Sequence, residues 1–194
     1  LKQRSEYTYR QNTHAGRHGW LRLTPAYSLK LVEEIIEGSA KDARVLDPFS
    51  GTGTTALCAA SQGHDACGIE LNPFLVWFSQ AKTAHYAPDD ISDAREVVNT
   101  VLALVRSRGC VPCEPPPLHN IIRWWNSAEL TFLRRLMGAI RSLHGIDRRV
   151  HDLVLIAFCR VMIQLSNAAF NHQSMSFKNS GNGNDSPVQL ALPQ

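Results

Sequence analysis

Between residues 24 and 86 the chain alternates between helix-period and strand-like stretches. In "TPAYSLKLVEEIIEG", Leu29, Val32, Ile35 and Ile36 recur at three- and four-residue steps and predict a helix. Thr24 suits its N-cap, Pro25 its first turn, and Gly38 follows its end. "ARVLDPF" reads as a short buried strand ending in polar chemistry. "TTALCAASQG" reads as a helix stopped at Gly63, "DACGIEL" as a second strand ending at Glu70, and "PFLVWFSQAKTAHY" as a helix opened by Pro73. Helix, strand, helix, strand, helix is the opening of a doubly wound α/β sheet.

After Pro88 the pattern changes. "DDISDAREVVNTVLALVRSRG" repeats Val97, Val101, Leu104 and Val105 at helical spacing, and "CVPCEPPPLHN" is a stiff Pro-rich connector. "NSAELTFLRRLMGAIRSLHG" carries Asn126 as N-cap with Glu129 three residues on, a capping-box spacing. "DRRVHDLVLIAFCRVMIQLSNAAF" is a further helix. Its stripe is Val150, Leu153, Val154, Ala157, Phe158, Val161, Met162 and Leu165, with Ser166 and Asn167 as a cap near its end. Four segments follow: an arm at 1–23, an α/β portion at 24–88, a helical block at 89–170 without strands, and an irregular tail at 171–194.

Composition narrows the class only a little. Of 194 residues, 44% are apolar and 19% charged, which suits a globular core. A net charge of +3 permits nucleic-acid binding without arguing for it. No apolar run approaches the roughly 20 residues of a membrane helix, and no signal-peptide core opens the chain. Five cysteines, an odd number set mostly in apolar runs, fit a reducing cytoplasm. The first residue is Leu, as expected of a processed, trimmed or partial chain.

The strongest chemical signal is "DPFSGTGTT", residues 47–55. Gly51 and Gly53 remove Cβ atoms that would block a ligand's close approach, and Thr54 and Thr55 open a helix whose free N–H groups favour electron-rich atoms. A P-loop needs a Lys after its last glycine, and none follows Gly53. A dinucleotide loop is possible, with Ala56 in place of a third glycine and Glu70 for the ribose. Asp47, however, would face a pyrophosphate unfavourably. An acid there suits S-adenosylmethionine (AdoMet), which carries an ammonium and a sulfonium and no phosphate. Charge therefore favours AdoMet over NAD.

These residues resemble a family. "LDPFSGTGTT" is similar to the AdoMet motif of the amino-methylating DNA methyltransferases, which act on adenine N6 or cytosine N4. "GIELNPF" is similar to their following acidic motif, and "RLTPAYSLKLVEEII" to the segment they place before the glycine loop. The resemblance covers about residues 22–74 and implies a partial Rossmann-like AdoMet-dependent methyltransferase fold followed by the helical block. It implies that Thr24, Pro25, Ala26 and Tyr27 line the methionine end and that Asp47 sits near the ammonium. Pro48, Phe49, Gly51 and Gly53 would form backbone walls, with Thr54 and Thr55 near the carboxylate. Glu70 would accept from the ribose hydroxyls, and Leu71, Asn72 and Pro73 would border the adenine. A restriction–modification setting in the cytoplasm, with DNA as partner, is implied too.

The family's catalytic loop, an Asp, Asn or Ser followed by Pro-Pro and an aromatic, is not found. "EPPPL" at 114–118 has no aromatic, and "DSPV" at 185–188 has neither the second Pro nor the aromatic. The strands that would complete the sheet are missing as well. The expectation is a cofactor-binding part whose catalytic groups come from a partner chain or an absent segment. Weaker candidates for nucleic acid are Arg123, Trp124, Arg134, Arg135, Arg148 and Arg149, with Trp125 and Arg141 nearby. Cys110 and Cys113 have zinc spacing without a second pair, so no metal is expected. His14 and His18 lie in the arm with Arg10 and Arg17, which could touch DNA, cover the cofactor or be disordered. The alternatives are an RNA guanine-N2 methyltransferase fragment, a non-catalytic cofactor-binding or scaffold subunit, and an NAD-binding protein.

Overall fold

A computed structural model of the protein describes residues 7, 12, 15–21, 23, 27–169 and 176–177. The expectations for Thr24, Pro25 and Ala26, and for most of the tail, lie outside them. The fold is mixed α/β and mostly helical, with a small parallel two-stranded sheet. It divides into two compact units, the first ending at Tyr86 and the second starting at Ala87. Among the described residues no helix is long and apolar enough to cross a membrane.

The first unit contains α1 (Leu29–Glu37), β1 (Val45–Asp47), α2 (Thr54–Ser61), β2 (Ala66–Gly68) and α3 (Pro73–Thr83). β1 and β2 pair in parallel, Val45 opposite Ala66 and Asp47 opposite Gly68, and the ladder runs on through Ile69 N–H to Asp47 O. β2 is thus shorter than the strand expected to reach Glu70. The core lies between α1 and α2, from Val32, Ile36, Cys58 and Ala59, with Leu29 and Val45 against it. Period-two alternation turns Leu46 to the other side, where it is 63% exposed. α2 ends in a Schellman arrangement. Gly63, at φ +80°, donates to Ala60 O, and His64 donates to Ala59 O.

Two sequence expectations for α1 need correction. The helix starts at Leu29, so Tyr27 and Ser28 are not in it, and Ser28 holds its N-cap position. The Ser28 side chain makes no capping bond. Asn12 caps from a distance instead: its Oδ1 accepts from Leu29 N–H and its Nδ2 donates to Tyr27 O. Ile35, expected on the buried face, is 64% exposed, because α2 covers only the stripe through Val32 and Ile36.

Part of the expected arm belongs to this unit. Residues 16–19 form a 3-10 turn, and Trp20 and Leu21 are buried. Arg17 lies against the rings of Trp20 and Tyr86 and donates to Lys82 O and Ala84 O at the end of α3. Such a cation satisfies helix carbonyls that would otherwise lack donors. Lys82 and His18 are drawn inward beside it. Burial pushes the Lys82 ammonium down to about 8. Burial, then the charge of Lys82, pushes His18 down to about 4. A histidine with a lowered folded pKa stays neutral where the unfolded chain takes up a proton, so its environment costs stability as pH falls from about 6.5 to 4. The wild-type protein should lose thermal stability relative to His18→Gln over that window. Parallel melting curves of the two would reject the burial of His18.

The second unit contains α4 (Pro88–Arg106), α5 (Ile121–Trp124), α6 (Ser127–Ser142) and α7 (Arg148–Leu165). α4 packs on both α6 and α7. The buried residues Val101, Val105, Leu133, Leu136, Ile140, Leu153, Val154 and Ala157 form its core. The expected capping box is present: Glu129 N–H donates to Asn126 Oδ1, and Asn126 N–H to Glu129 Oε2. The helical block is not strandless as expected. α7 stops at Leu165, Ser166 Oγ bonds back to Ile163 O, and Asn167 N–H donates to Trp124 O. That turn leads into β3 (Ala168–Ala169), antiparallel to β4 (Ser176–Phe177).

The Pro-rich connector lies on α6. Cys113 N–H donates to Arg134 O, and a Cβ at Gly138 would overlap the Val111 carbonyl oxygen. In an open helix Gly→Ala gains about 1 kcal/mol. Here the added methyl meets backbone that cannot rotate away, and overpacking costs about 1–3 kcal/mol. Gly138→Ala should therefore melt below wild type by circular dichroism; a higher melting temperature would mean the connector does not rest there.

Candidate cofactor-binding site

The site is built where β1 runs out. The Asp47 carboxylate closes a local turn, its Oδ1 accepting from Phe49 N–H at 3.0 Å. Its Oδ2 is buried and has no hydrogen-bond partner. The chain then loops through Ser50, whose N–H donates to Ile69 O at 3.0 Å, and Gly53 N–H returns to Ser50 O at 2.7 Å. Gly51 and Gly53 have φ of +49° and +70°, which favour glycine. Gly53 has a second reason to be glycine: a Cβ there would overlap Ser79 Oγ of α3. Gly68 similarly leaves room for Ser50, which is buried. Two of the glycines thus serve close packing within the unit.

Glu70 fastens this turn to the next strand. Its Oε2 accepts from Gly51 N–H at 2.9 Å and its Oε1 from Asn72 N–H at 2.9 Å. Each carboxylate oxygen has lone pairs to spare, so both could accept further bonds. Asn72 in turn caps α3, its Oδ1 accepting from Phe74 N–H, with Pro73 in the first helical position. Asp47, the loop from Pro48 to Thr55, and Glu70 to Pro73 are therefore one hydrogen-bonded assembly. Thr54 is buried and Thr55 half-buried at the opening of α2, while Phe49 and Leu71 stand out in solvent. Tyr27, exposed before α1, is placed by the bond from Asn12 to its carbonyl.

The sequence contained no local sign of Asn12, Ser50, Ser79 or Arg17 as supports. Each acts on a residue far along the chain or through a space that only the fold creates.

Comparison with known proteins bears on this assembly. Residues 3–81 match the family model described as DNA methylase, of the N6/N4 class. This stretch of the chain is therefore similar to the N6/N4 DNA methylases. The chain is also 38% identical over 68 residues to the type II methyltransferase M.BsoBI of Geobacillus stearothermophilus. That match takes in 34% of the chain and 13% of the relative's length. No solved structure matches the chain.

The methylase family implies AdoMet, and the residues present fit its charges. Asp47 Oδ2, buried and unmatched, is a ready acceptor for an ammonium N–H. The first turn of α2 offers N–H groups to a carboxylate, and Glu70 can accept from a diol.

The candidate nucleic-acid residues of the second unit are differently placed. Arg135 donates to Val105 O and Ser107 O at the end of α4, and Arg134 to Cys113 O of the connector. Arg149 pairs with the buried Asp90 at 3.5 Å and with Asp147 at 3.4 Å, and Arg148 lies 3.8 Å from Asp152. These four guanidiniums are engaged within their own unit. Arg123 and Trp124 instead lie on α5 beside Phe177. The Cys110 thiol donates to Arg135 O, and among the described residues no group of three His, Cys, Asp or Glu side chains gathers for a metal.

Proposed function

We propose that the first unit binds AdoMet and that the chain is the cofactor-binding part of a DNA methyltransferase. Its target would be the exocyclic amine of adenine (N6) or cytosine (N4). The observation that carries this reading is Asp47: a buried carboxylate oxygen without a partner, beside a glycine turn in a methylase-family segment. AdoMet supplies the methyl group when bound. Asp47 would hold the ammonium, the opening of α2 the carboxylate, Glu70 the ribose, and Leu71, Asn72 and Pro73 the edge of the adenine. Thr24, Pro25, Ala26 and Tyr27 would line the methionine end, with backbone from Pro48 to Gly53 as walls. The type II methyltransferase relative supports a restriction–modification setting.

In this reading β1 and β2 are the opening pair of a Rossmann-like doubly wound sheet. Parallel strands are normally covered on both faces, and a two-stranded sheet has little stability of its own. Leu46 and Ile69 are nevertheless exposed. The groups that hold the target base would come with the elements that cover them, from a second chain or another segment of the protein.

Calorimetric titration tests the cofactor. AdoMet should bind, and Asp47→Ala should weaken it about tenfold or more, since a charge-assisted hydrogen bond contributes about 1.5–3 kcal/mol. Glu70→Ala should also weaken binding, with added loss of loop order because Gly51 and Asn72 lose their acceptor. Tight NAD binding without AdoMet binding would overturn the proposal. Radiolabelled methyl transfer separates the rest. The chain alone should leave duplex DNA unmethylated; transfer by it alone would show that it holds its own catalytic groups, and transfer to structured RNA would move the substrate to RNA.

A further inference from the structure

We propose that Arg123, whose guanidinium lies over the Phe177 ring, reads the O6/N7 edge of a guanine in duplex DNA. This rests on the DNA-methyltransferase reading above and adds the base edge recognised and the group that recognises it.

The Arg123 guanidinium carbon lies 4.2 Å from the centre of the Phe177 ring. Trp124 meets the same ring edge-on at 5.2 Å, and Trp125 lies 6.2 Å from Trp124. The backbone beneath is fixed on both sides. Asn120 starts α5 at φ +50°, Arg123 N–H donates to Asn120 O, and Asn167 donates to Arg123 O through Nδ2 and to Trp124 O through its backbone N–H. Trp125 Nε1 donates to Met162 O at 2.9 Å, pinning the pair to α7.

Arg123 is exposed, and among the described residues its guanidinium meets no carboxylate or carbonyl. Arg134, Arg135, Arg148 and Arg149 all do. A guanidinium lying over a ring loses rotamer freedom, and its N–H donors form a rigid planar fork. The matching ligand presents two acceptors side by side. Guanine O6 and N7 do so in the major groove, and arginine is their commonest bidentate partner. A phosphate also offers paired oxygens, but it needs neither a fixed plane nor an aromatic wall. The Phe177 ring beneath the guanidinium supplies such a wall, which favours the flat base edge.

The test uses the full chain and a random-sequence duplex pool, read by sequencing the bound fraction with saturating AdoMet. Wild type should enrich sequences sharing one guanine. Replacing that guanine by 7-deazaguanine, which lacks the N7 acceptor, should weaken binding roughly ten- to a hundredfold. Arg123→Lys keeps the charge but not the fork, and should erase the preference at that position while leaving affinity for the pool within a few-fold. Phe177→Leu should blur it. Melting curves confirm that the variants fold, and the 7-deazaguanine comparison needs no variant. The inference falls if Arg123→Lys and Arg123→Ala keep the guanine preference. It falls too if Arg123→Ala weakens all sequences alike and Arg123→Lys restores them, since that marks a phosphate contact. A wild-type protein that takes AdoMet but enriches no duplex, or prefers structured RNA, overturns the inference and the DNA reading together.

Discussion

The Glu70 carboxylate ties the end of β2 to the turn that follows β1. One oxygen takes the Gly51 N–H and the other the Asn72 N–H. Without it the turn would have to find another acceptor for Gly51, and α3 would lose the brace behind its capping residue. The rest of the loop depends on this tie. It fixes the span in which Ser50 can tuck over Gly68 and in which Gly53 can approach Ser79. It also leaves Asp47 as a buried acceptor that the protein itself does not use fully. Under the proposed function, rigidity at Glu70 and the unmatched Asp47 oxygen would suit the loop to a cationic ligand.

Arginine distribution sets the character of the second unit. Counting basic residues suggests a broad cationic face, yet Arg135 closes the end of α4, Arg134 holds the connector and Arg149 neutralises the buried Asp90. Each of these guanidiniums has a partner within its own unit. The Arg123 guanidinium lies over the Phe177 ring instead.

Elements governed by neighbours in sequence were legible from the residues. The Schellman end of α2 at Gly63, the Asn126–Glu129 box and the Asn72–Pro73 start of α3 are bonds among residues within five positions. The glycine turn and its acidic partner could also be read, because strand, turn, helix and strand follow one another directly. What could not be read depends on distant chain. The start of α1 is set by Asn12, 17 residues before Leu29. Gly138 is glycine because a connector more than twenty residues earlier rests on it. β3 and β4 are two residues each, too short for any period, and β3 follows directly on Asn167, whose N–H donates to Trp124 O far back in the chain. The contacts of the basic residues were hidden in the same way, since charge is visible in a sequence and its local partner is not.

The β1–β2 pair also bears on how the chain behaves in solution. Among the described residues its sheet has two strands, so both outer edges keep backbone donors and acceptors without a neighbouring strand. Leu46 and Ile69 add apolar surface beside them. Edges of this kind are templates for pairing with other chains. At high concentration the chain is therefore expected to associate through this face.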